Sequence, residues 1–425
     1  MKEACYPTAQ GLMTVDDALT FILSKAVPVC DIENVDISRA LGRILARPQI
    51  STINVPPANN SAMDGYALAS CDISGRDIAA SADTRLPISQ RIAAGQTSQP
   101  LIPGTAARIF TGAPIPFGAD IVVMQEHCRV EGNTVIISLP LHTGQNIRAR
   151  GEDVKAGTTI LEAGIKLRPQ DLGLAASIGV AQLPVYRPLR VAIFSTGDEL
   201  TEPGTPLAPG KIYNANRYTL TGLLHALHCE VIDFGIVPDN IAATRTALAA
   251  AAHQSDLIIT SGGVSVGDED HVKAAVEELG HLDMWRIAMK PGKPLAFGSV
   301  GNSERSVIPT PFFGLPGNPV SVFATFCLFV RPYIMHRQGM AHTLPQSVSV
   351  RADFDWLQSG NRREYLRARL HTDTDGTTGA VIYSNQSSAA LTSVSWAQGL
   401  ICIAEGTTVQ RGQMVSFIPF TELLG

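Results

Sequence analysis

Leu257-Ile258-Ile259-Thr260-Ser261-Gly262-Gly263-Val264-Ser265-Val266-Gly267-Asp268-Glu269-Asp270 reads as a strand, a glycine turn and the approach to a helix. Leu257–Thr260 is a short apolar run, the pattern of a strand buried on both faces. His271–Leu279 then takes helical spacing. The same order recurs outward in both directions. Upstream, Val191–Ser195 is a strand, Arg217–His228 an amphipathic helix, Val231–Ile236 a strand and the Ala-rich Ile241–His253 a helix. Downstream, Phe312–Leu315 is a strand and Val320–His336 a helix. Strand and helix taking turns over about 184–338 predict a parallel, doubly wound α/β domain. Its ligands gather at the carboxyl ends of the strands.

The flanks have a different texture. Thr14 can cap a helix with Asp16 and Asp17 in its first turn and Ala18, Leu19, Ile22 and Leu23 as an apolar stripe. A second short helix is expected near Ser38–Leu45. From Asn54 to Asn146, short apolar runs such as Ile121–Met124 and Thr134–Leu139 sit between frequent Pro and Gly, which predicts a small β module. Residues 147–183 return to mixed character, with a short helix expected at Asp171–Ile178 capped by Asp171. This stretch packs back on the first helices if the β module is an insertion. Alternating segments at Tyr365–Leu370 and Met414–Ile418 predict a second β module. The expected division is 1–54 with 147–183, 55–146, 184–338 and 339–425.

With 425 residues, several domains are expected. A net charge of −5 gives no sign of a nucleic-acid or membrane partner. Met1 to Leu12 has no signal-type apolar stretch, and apolar runs such as Val320–Val330 are too short to span a bilayer. The 7 cysteines show no Cys-x-x-Cys spacing and read as reduced thiols, so a cytoplasmic location is expected.

Chemistry-bearing residues follow the strands of the α/β domain. Thr196-Gly197-Asp198-Glu199, Val237-Pro238-Asp239-Asn240, the Gly262-Gly263 loop through Asp270, and Pro316-Gly317-Asn318-Pro319-Val320-Ser321 all fall at strand ends. Gly262 and Gly263 permit close backbone approach to a phosphate. Asp198, Glu199, Asp239 and Asp270 are hard oxygen donors of the type that holds Mg²⁺. Met289-Lys290-Pro291-Gly292-Lys293-Pro294 places two ammonium groups on a stiff turn, which suits an oxyanion. Taken singly, each has a plainer reading as a loop, a cap or a surface charge. So do Asn59–Ala67, Arg148–Asp153, Asn361–Glu364 and Asn385–Ser388. Convergence on one sheet edge favours a site.

Seven segments in order, SAMDGYA at 61–67, TGAPIP at 111–116, RGEDV at 150–154, STGDEL at 195–200, SGGVSVGDED at 261–270, MKPGKP at 289–294 and LPGNPVS at 315–321, resemble the molybdopterin molybdotransferase family of the MoeA and gephyrin E-domain type. The resemblance implies a mixed N-terminal domain, an inserted β module, a central doubly wound MogA-like α/β domain and a C-terminal β-barrel-like module. It implies a homodimer whose site lies between one subunit's α/β and C-terminal domains and the other's N-terminal regions. The implied reaction is Mg²⁺-dependent insertion of molybdate into adenylylated molybdopterin with release of AMP. Implied partners are the molybdopterin adenylyltransferase and cofactor-accepting enzymes.

By the same resemblance, Lys290, Lys293, Pro294 and Ser321 look like molybdate-pocket residues, with Arg362 or Arg363 and Ser388 from the C-terminal module. Asp198, Glu199, Asp239 and Asp270 look like the metal and nucleotide acids. Gly262, Gly263 and Ser265 look like the phosphate loop. Asp64, Thr111 and Asp153 look like contributions from the partner subunit. Two departures stand out: Gln386-Ser387-Ser388 replaces a frequent Gly-Ser pair, and Asn214 stands where many relatives have Asp, keeping a polar contact or helix cap. An adenylyltransferase acting one step earlier and a non-catalytic scaffold are the rival readings. Molybdate and tungstate are alike in size and charge, so the sequence does not separate them.

Overall fold

The computed structural model describes residues 12–73, 83–137, 140–264, 271–301, 309–374 and 376–424. Its central sheet runs in the order Glu230–Val237, Arg190–Thr196, Leu257–Ser261, Thr310–Leu315, Pro294–Val300, Gly280–Arg286. The first four strands are parallel, as the strand–helix alternation predicts. The last two are antiparallel. This hairpin was not foreseen, because its two strands flank Met289–Pro294, which reads locally only as a turn. Helices Ala215–Ala226, Ile241–Gln254 and His271–Leu279 and the long helical stretch from Pro319 to Arg337 cover the sheet. Two apolar layers result, one holding Ile193, Ile259, Phe313 and Tyr333, the other Ala192, Phe194, Ile258 and Phe312. Alternate residues of one strand thus enter opposite layers, which explains the unbroken apolar runs.

The stretch Pro319–Arg337 is long and apolar enough to cross a membrane by length and composition, which the shorter run Val320–Val330 did not suggest. In the fold 89% of its apolar window is buried, so the helix serves as core. It passes through a π-helical turn at Phe326–Val330 before resuming at Arg331–Arg337.

The first helix, Val15–Ser24, is capped by Thr14, whose hydroxyl oxygen accepts from Asp17 N at 3.1 Å. Its buried face, Val15, Ala18 and Ile22, enters the α/β core. Periodicity identifies such a face but not what covers it. The helix expected at Ser38–Leu45 is only a 3₁₀ turn, Ile37–Arg39. Gly42 ends it with φ +75°, and a Cβ there would lie 2.0 Å from His228 Nε2. The helix expected at Asp171–Ile178 begins earlier, at Pro169, with Arg168 at its cap. Asp171 is not the cap but reaches back to it, accepting from Arg168 N at 2.8 Å.

Ile32–Asp36 pairs with Gln182–Tyr186, and Gln49–Ile50 with Thr159–Leu161, so the chain leaves and returns to one small unit. Between departure and return lies a six-stranded sheet, ordered Ile121–Met124, Gly65–Leu68, Ala106–Ile109, Thr84–Ile92, Thr134–Ile137, Cys128–Glu131. Near the C-terminus, Arg363–Thr372, Thr378–Ile382, Val348–Ala352, Met414–Pro419 and Gly399–Ile403 pair in a closed ring. Closure removes free sheet edges and encloses Val350, Leu366, Ile401 and Phe417.

Candidate active site

The parallel strands end at Thr196, Val237, Ser261 and Leu315, and the turns that follow open on one cleft of about 670 Å³. Gly262 (φ +90°) and Gly263 (φ +66°) form its floor. A Cβ on Gly262 would lie 2.6 Å from the Thr196 carbonyl oxygen, and one on Gly263 2.4 Å from Val272 Cγ2. Only glycine meets both the conformation and the space. Beneath this loop, Ser195 Oγ lies 3.0 Å from Ser261 Oγ and 3.3 Å from Asn214 Oδ1, all three residues being buried. Asn214 caps helix Ala215–Ala226, accepting from Arg217 N, so it keeps the role expected of it.

The opposite wall comes from the hairpin connection. Met289–Lys290 leaves the α/β sheet and pairs in parallel with Arg363–Glu364 of the barrel. Lys290, Pro291, Gly292, Lys293 and Pro294 therefore line the cleft where two domains meet. A Cβ on Gly292 would lie 2.6 Å from Thr325 Cγ2, which shows how closely this turn seats on the helix below. Lys290 Nζ pairs with Glu364 Oε2 at 3.1 Å and lies 5.8 Å from the Trp356 ring centre. Lys293 is exposed and has no carboxylate partner among the described residues. Ser321, in the first turn of the core helix, and Asn318, just ahead of it, add polar groups. The barrel completes the wall with Arg362, Gln386, Ser387 and Ser388. The Ser388 carbonyl accepts from Val320 N at 3.0 Å, tying this loop to the helix start.

Of the residues singled out from sequence, Glu199, Asp239, Gly262, Gly263, Lys290, Lys293, Pro294, Ser321, Arg362 and Ser388 line one cleft. Asp198 does not. Its carboxylate faces Asp239 N at 3.5 Å, and its carbonyl accepts from Lys211 Nζ. Arg363 turns away and pairs with Asp16, Nη1 to Oδ1 at 2.8 Å. Arg362 stands in the bend just before strand Arg363–Thr372, of which Arg363 is the first residue, and only Arg362 lines the cleft. Asp64 and Thr111 meet each other, the carboxylate taking the Thr111 N–H and hydroxyl at 2.7 Å each, which holds the carboxyl below its ordinary range. Neither they nor Asp153 line the cleft of their own chain. Ser265 and Asp270 lie outside the described residues.

Residues quoted within those segments but given no role of their own also contribute. Thr196 lines the cleft, and its hydroxyl is buried without a partner among the described residues. Asn318, Gln386 and Ser387 line it, and Glu364 holds Lys290. Glu364 closes the quoted Asn361–Glu364 segment, where an acid taken alone reads as ordinary strand-end polarity. The cleft therefore holds carboxylates at Glu199 and Asp239, and cations at Lys290, Lys293 and Arg362. Such a pairing can take an oxyanion on its basic side and a metal-bridged phosphate on its acidic side.

Three family models match in sequence. They are the MoeA N-terminal region (domain I and II) over residues 13–179, a "Probable molybdopterin binding domain" over 192–336, and the MoeA C-terminal region (domain IV) over 349–420. A Haemophilus influenzae protein named molybdopterin molybdenumtransferase is 40% identical over 97% of this chain and 100% of its own. A Nostoc protein of the same name is 41% identical over 80% of this chain and 78% of its own. Among solved structures, the molybdopterin biosynthesis moeA protein from Pyrococcus horikoshii OT3 superposes with a TM-score of 0.82 at 28% identity, over 96% of this chain and 100% of that one. The chain belongs to the MoeA family of molybdopterin molybdenumtransferases.

Proposed function

We propose that this chain is a molybdopterin molybdenumtransferase of molybdenum cofactor biosynthesis. In this reading its substrates are molybdate and adenylylated molybdopterin, and AMP is released. The observation that carries it is one cleft holding Lys290, Lys293 and Arg362 together with Glu199 and Asp239.

Molybdate is a tetrahedral dianion. Lys293, unpaired among the described residues, and Arg362 offset its charge, while the Ser321 and Ser388 hydroxyls orient its oxygens. Lys290 is partly neutralised by Glu364 and so is held in place. The adenylate phosphate sits on the Gly262-Gly263 loop, where the Thr196 hydroxyl supplies a donor. Glu199 and Asp239 offer carboxylate oxygens of the kind Mg²⁺ prefers, with Asp198 beside them, so the donor set fits this ion. Glu199 and Asp239 would hold the ion, which would supply Lewis acidity toward the phosphate and a bound water. The protein's own residues hold the two substrates in contact, which removes the entropy cost of bringing them together.

Two copies form a homodimer in this reading, and Asp64, Thr111 and Asp153 of each reach the other's cleft. The working compartment is the cytoplasm. The decisive experiment supplies adenylylated molybdopterin, Mg²⁺ and molybdate to the pure protein and measures AMP and active cofactor. Both appear together if the reading is right. ATP consumption with free molybdopterin would instead assign the earlier, adenylylating step, and absence of both activities would leave a scaffold.

A further inference from the structure

Arg367 stands in the middle of barrel strand Arg363–Thr372 and is 1% exposed. Its guanidinium reaches only neutral oxygens. Nε donates to Ser393 Oγ at 3.0 Å, Nη1 to the Tyr365 carbonyl at 3.2 Å and Nη2 to the Ser387 carbonyl at 3.2 Å. Among the described residues it pairs with no carboxylate. Burial pushes the guanidinium down to about 10, which still leaves it charged at neutral pH. A buried charge without a counter-ion is costly, and an apolar side chain of similar volume would fill the same space at less cost.

The charge lies directly behind the cleft. Arg367 does not line the cleft itself, but Gln386, Ser387 and Ser388 do. Arg367 holds this loop at three points: through Nη2 on the Ser387 carbonyl, through its N–H to Gln386 Oε1 at 3.0 Å, and through its carbonyl, which accepts from Gln386 Nε2 at 3.1 Å. Ser393, which takes the Nε bond, donates onward to the Ala390 carbonyl at 2.6 Å, at the end of the same loop. Of the cations in the cleft, Lys290 is matched by Glu364 and Lys293 is exposed, where solvent screens it. A cation enclosed behind the wall is screened less.

We propose that Arg367 is a positioning residue of the oxyanion pocket: it fixes the Gln386–Ser388 loop, and its unneutralised charge favours a tetrahedral dianion over a monoanion of the same shape. This rests on the reading of the cleft as the molybdate site. The energy of an anion in a fixed potential scales with its charge, so the fold loss for a dianion is the square of that for a monoanion. A loop that is merely misplaced weakens both anions alike.

The test offers the full chain molybdate, a dianion, and perrhenate, a tetrahedral monoanion, in equilibrium dialysis at constant ionic strength. Arg367→Gln keeps a donor for the loop and removes the charge. Molybdate affinity then falls about tenfold and perrhenate affinity about threefold, so the preference for the dianion drops about threefold. Arg367→Lys keeps the charge and therefore the preference, whatever affinity it loses for both anions. Equal losses for the two anions, or no loss, in folded Arg367→Gln overturn the proposal. If Arg367→Gln does not fold, Arg367→Lys decides alone: a preserved preference supports the proposal and a fallen one overturns it. Failure of the wild-type chain to bind molybdate removes the molybdate reading of the cleft and this inference with it, whereas binding that Arg367→Gln leaves unchanged removes this inference alone.

Discussion

Gly262→Ala tests whether the floor of the cleft is set by backbone sterics. Gly262 sits at φ +90°, and an alanine methyl would lie 2.6 Å from the Thr196 carbonyl oxygen. That oxygen belongs to a central strand and cannot swing aside as a side chain would. Positive φ costs a non-glycine residue about 1–2 kcal/mol, and forcing packed atoms apart adds roughly 1–3 kcal/mol. The sum, about 2–5 kcal/mol, is a large fraction of a domain's stability. Gly204 supplies the control: its φ is +94°, and a methyl there meets nothing within 4 Å. Gly204→Ala therefore carries the strain alone, about 1–2 kcal/mol. Scanning calorimetry resolves the transition of the α/β domain, where each kcal/mol moves the midpoint by about 2–4 °C. The expected falls are roughly 4–20 °C for Gly262→Ala and about 2–8 °C for Gly204→Ala. Equal falls in the two variants would show that the close approach to Thr196 is not a constraint, and the account of the loop would fail.

Other outcomes follow from the same geometry. Lys293→Ala lowers molybdate affinity about tenfold or more, while its exposed position leaves the melting temperature nearly unchanged; calorimetric titration with molybdate reads the first, and equal affinity in both proteins refutes the role. Asp239→Asn slows AMP release by about tenfold or more at saturating Mg²⁺, and an unchanged rate removes Asp239 from the acidic set. If the clefts are shared between subunits, mixing Asp64→Asn with Lys293→Ala at a molybdate concentration too low for either alone to turn over, and allowing exchange, restores about a quarter of the wild-type rate, since half the dimers then hold one intact site; no recovery after proven exchange argues against the shared site. Burial raises the Asp256 carboxyl, but hydrogen bonds from Arg187 and Arg190 outweigh it and hold it at about 2. Its folded value is below its unfolded one, so its stabilisation is full above about pH 4 and fades as pH falls towards 2. The gap in melting temperature between wild type and Asp256→Asn should narrow over that window, and a gap constant from pH 5 to 2 contradicts the linkage.

Much of the α/β domain was legible because its signals are local. Apolar runs at Val191–Ser195 and Leu257–Thr260, each followed by glycine and a polar turn, specify strand, turn and helix within about a dozen residues. Glu199, Asp239, Gly262 and Ser321 follow from topology, since parallel strands deliver their carboxyl ends to one edge. Helix limits were less secure. After Ile37–Arg39 the chain turns at Gly42, at φ +75°, where His228, distant in sequence, occupies the space a Cβ would need.

By itself, then, the sequence determined the alternation of elements, the glycine turns and the family. Those features rest on chain-local sterics and on ordered motifs. Tertiary structure alone decided that Met289–Lys290 crosses to pair with Arg363–Glu364, that Arg362 enters the cleft while Arg363 turns to Asp16, and that Glu364 holds Lys290. Each depends on which strands meet and on which way a side chain then faces. That choice is made by packing between segments far apart in the chain, so no local pattern records it.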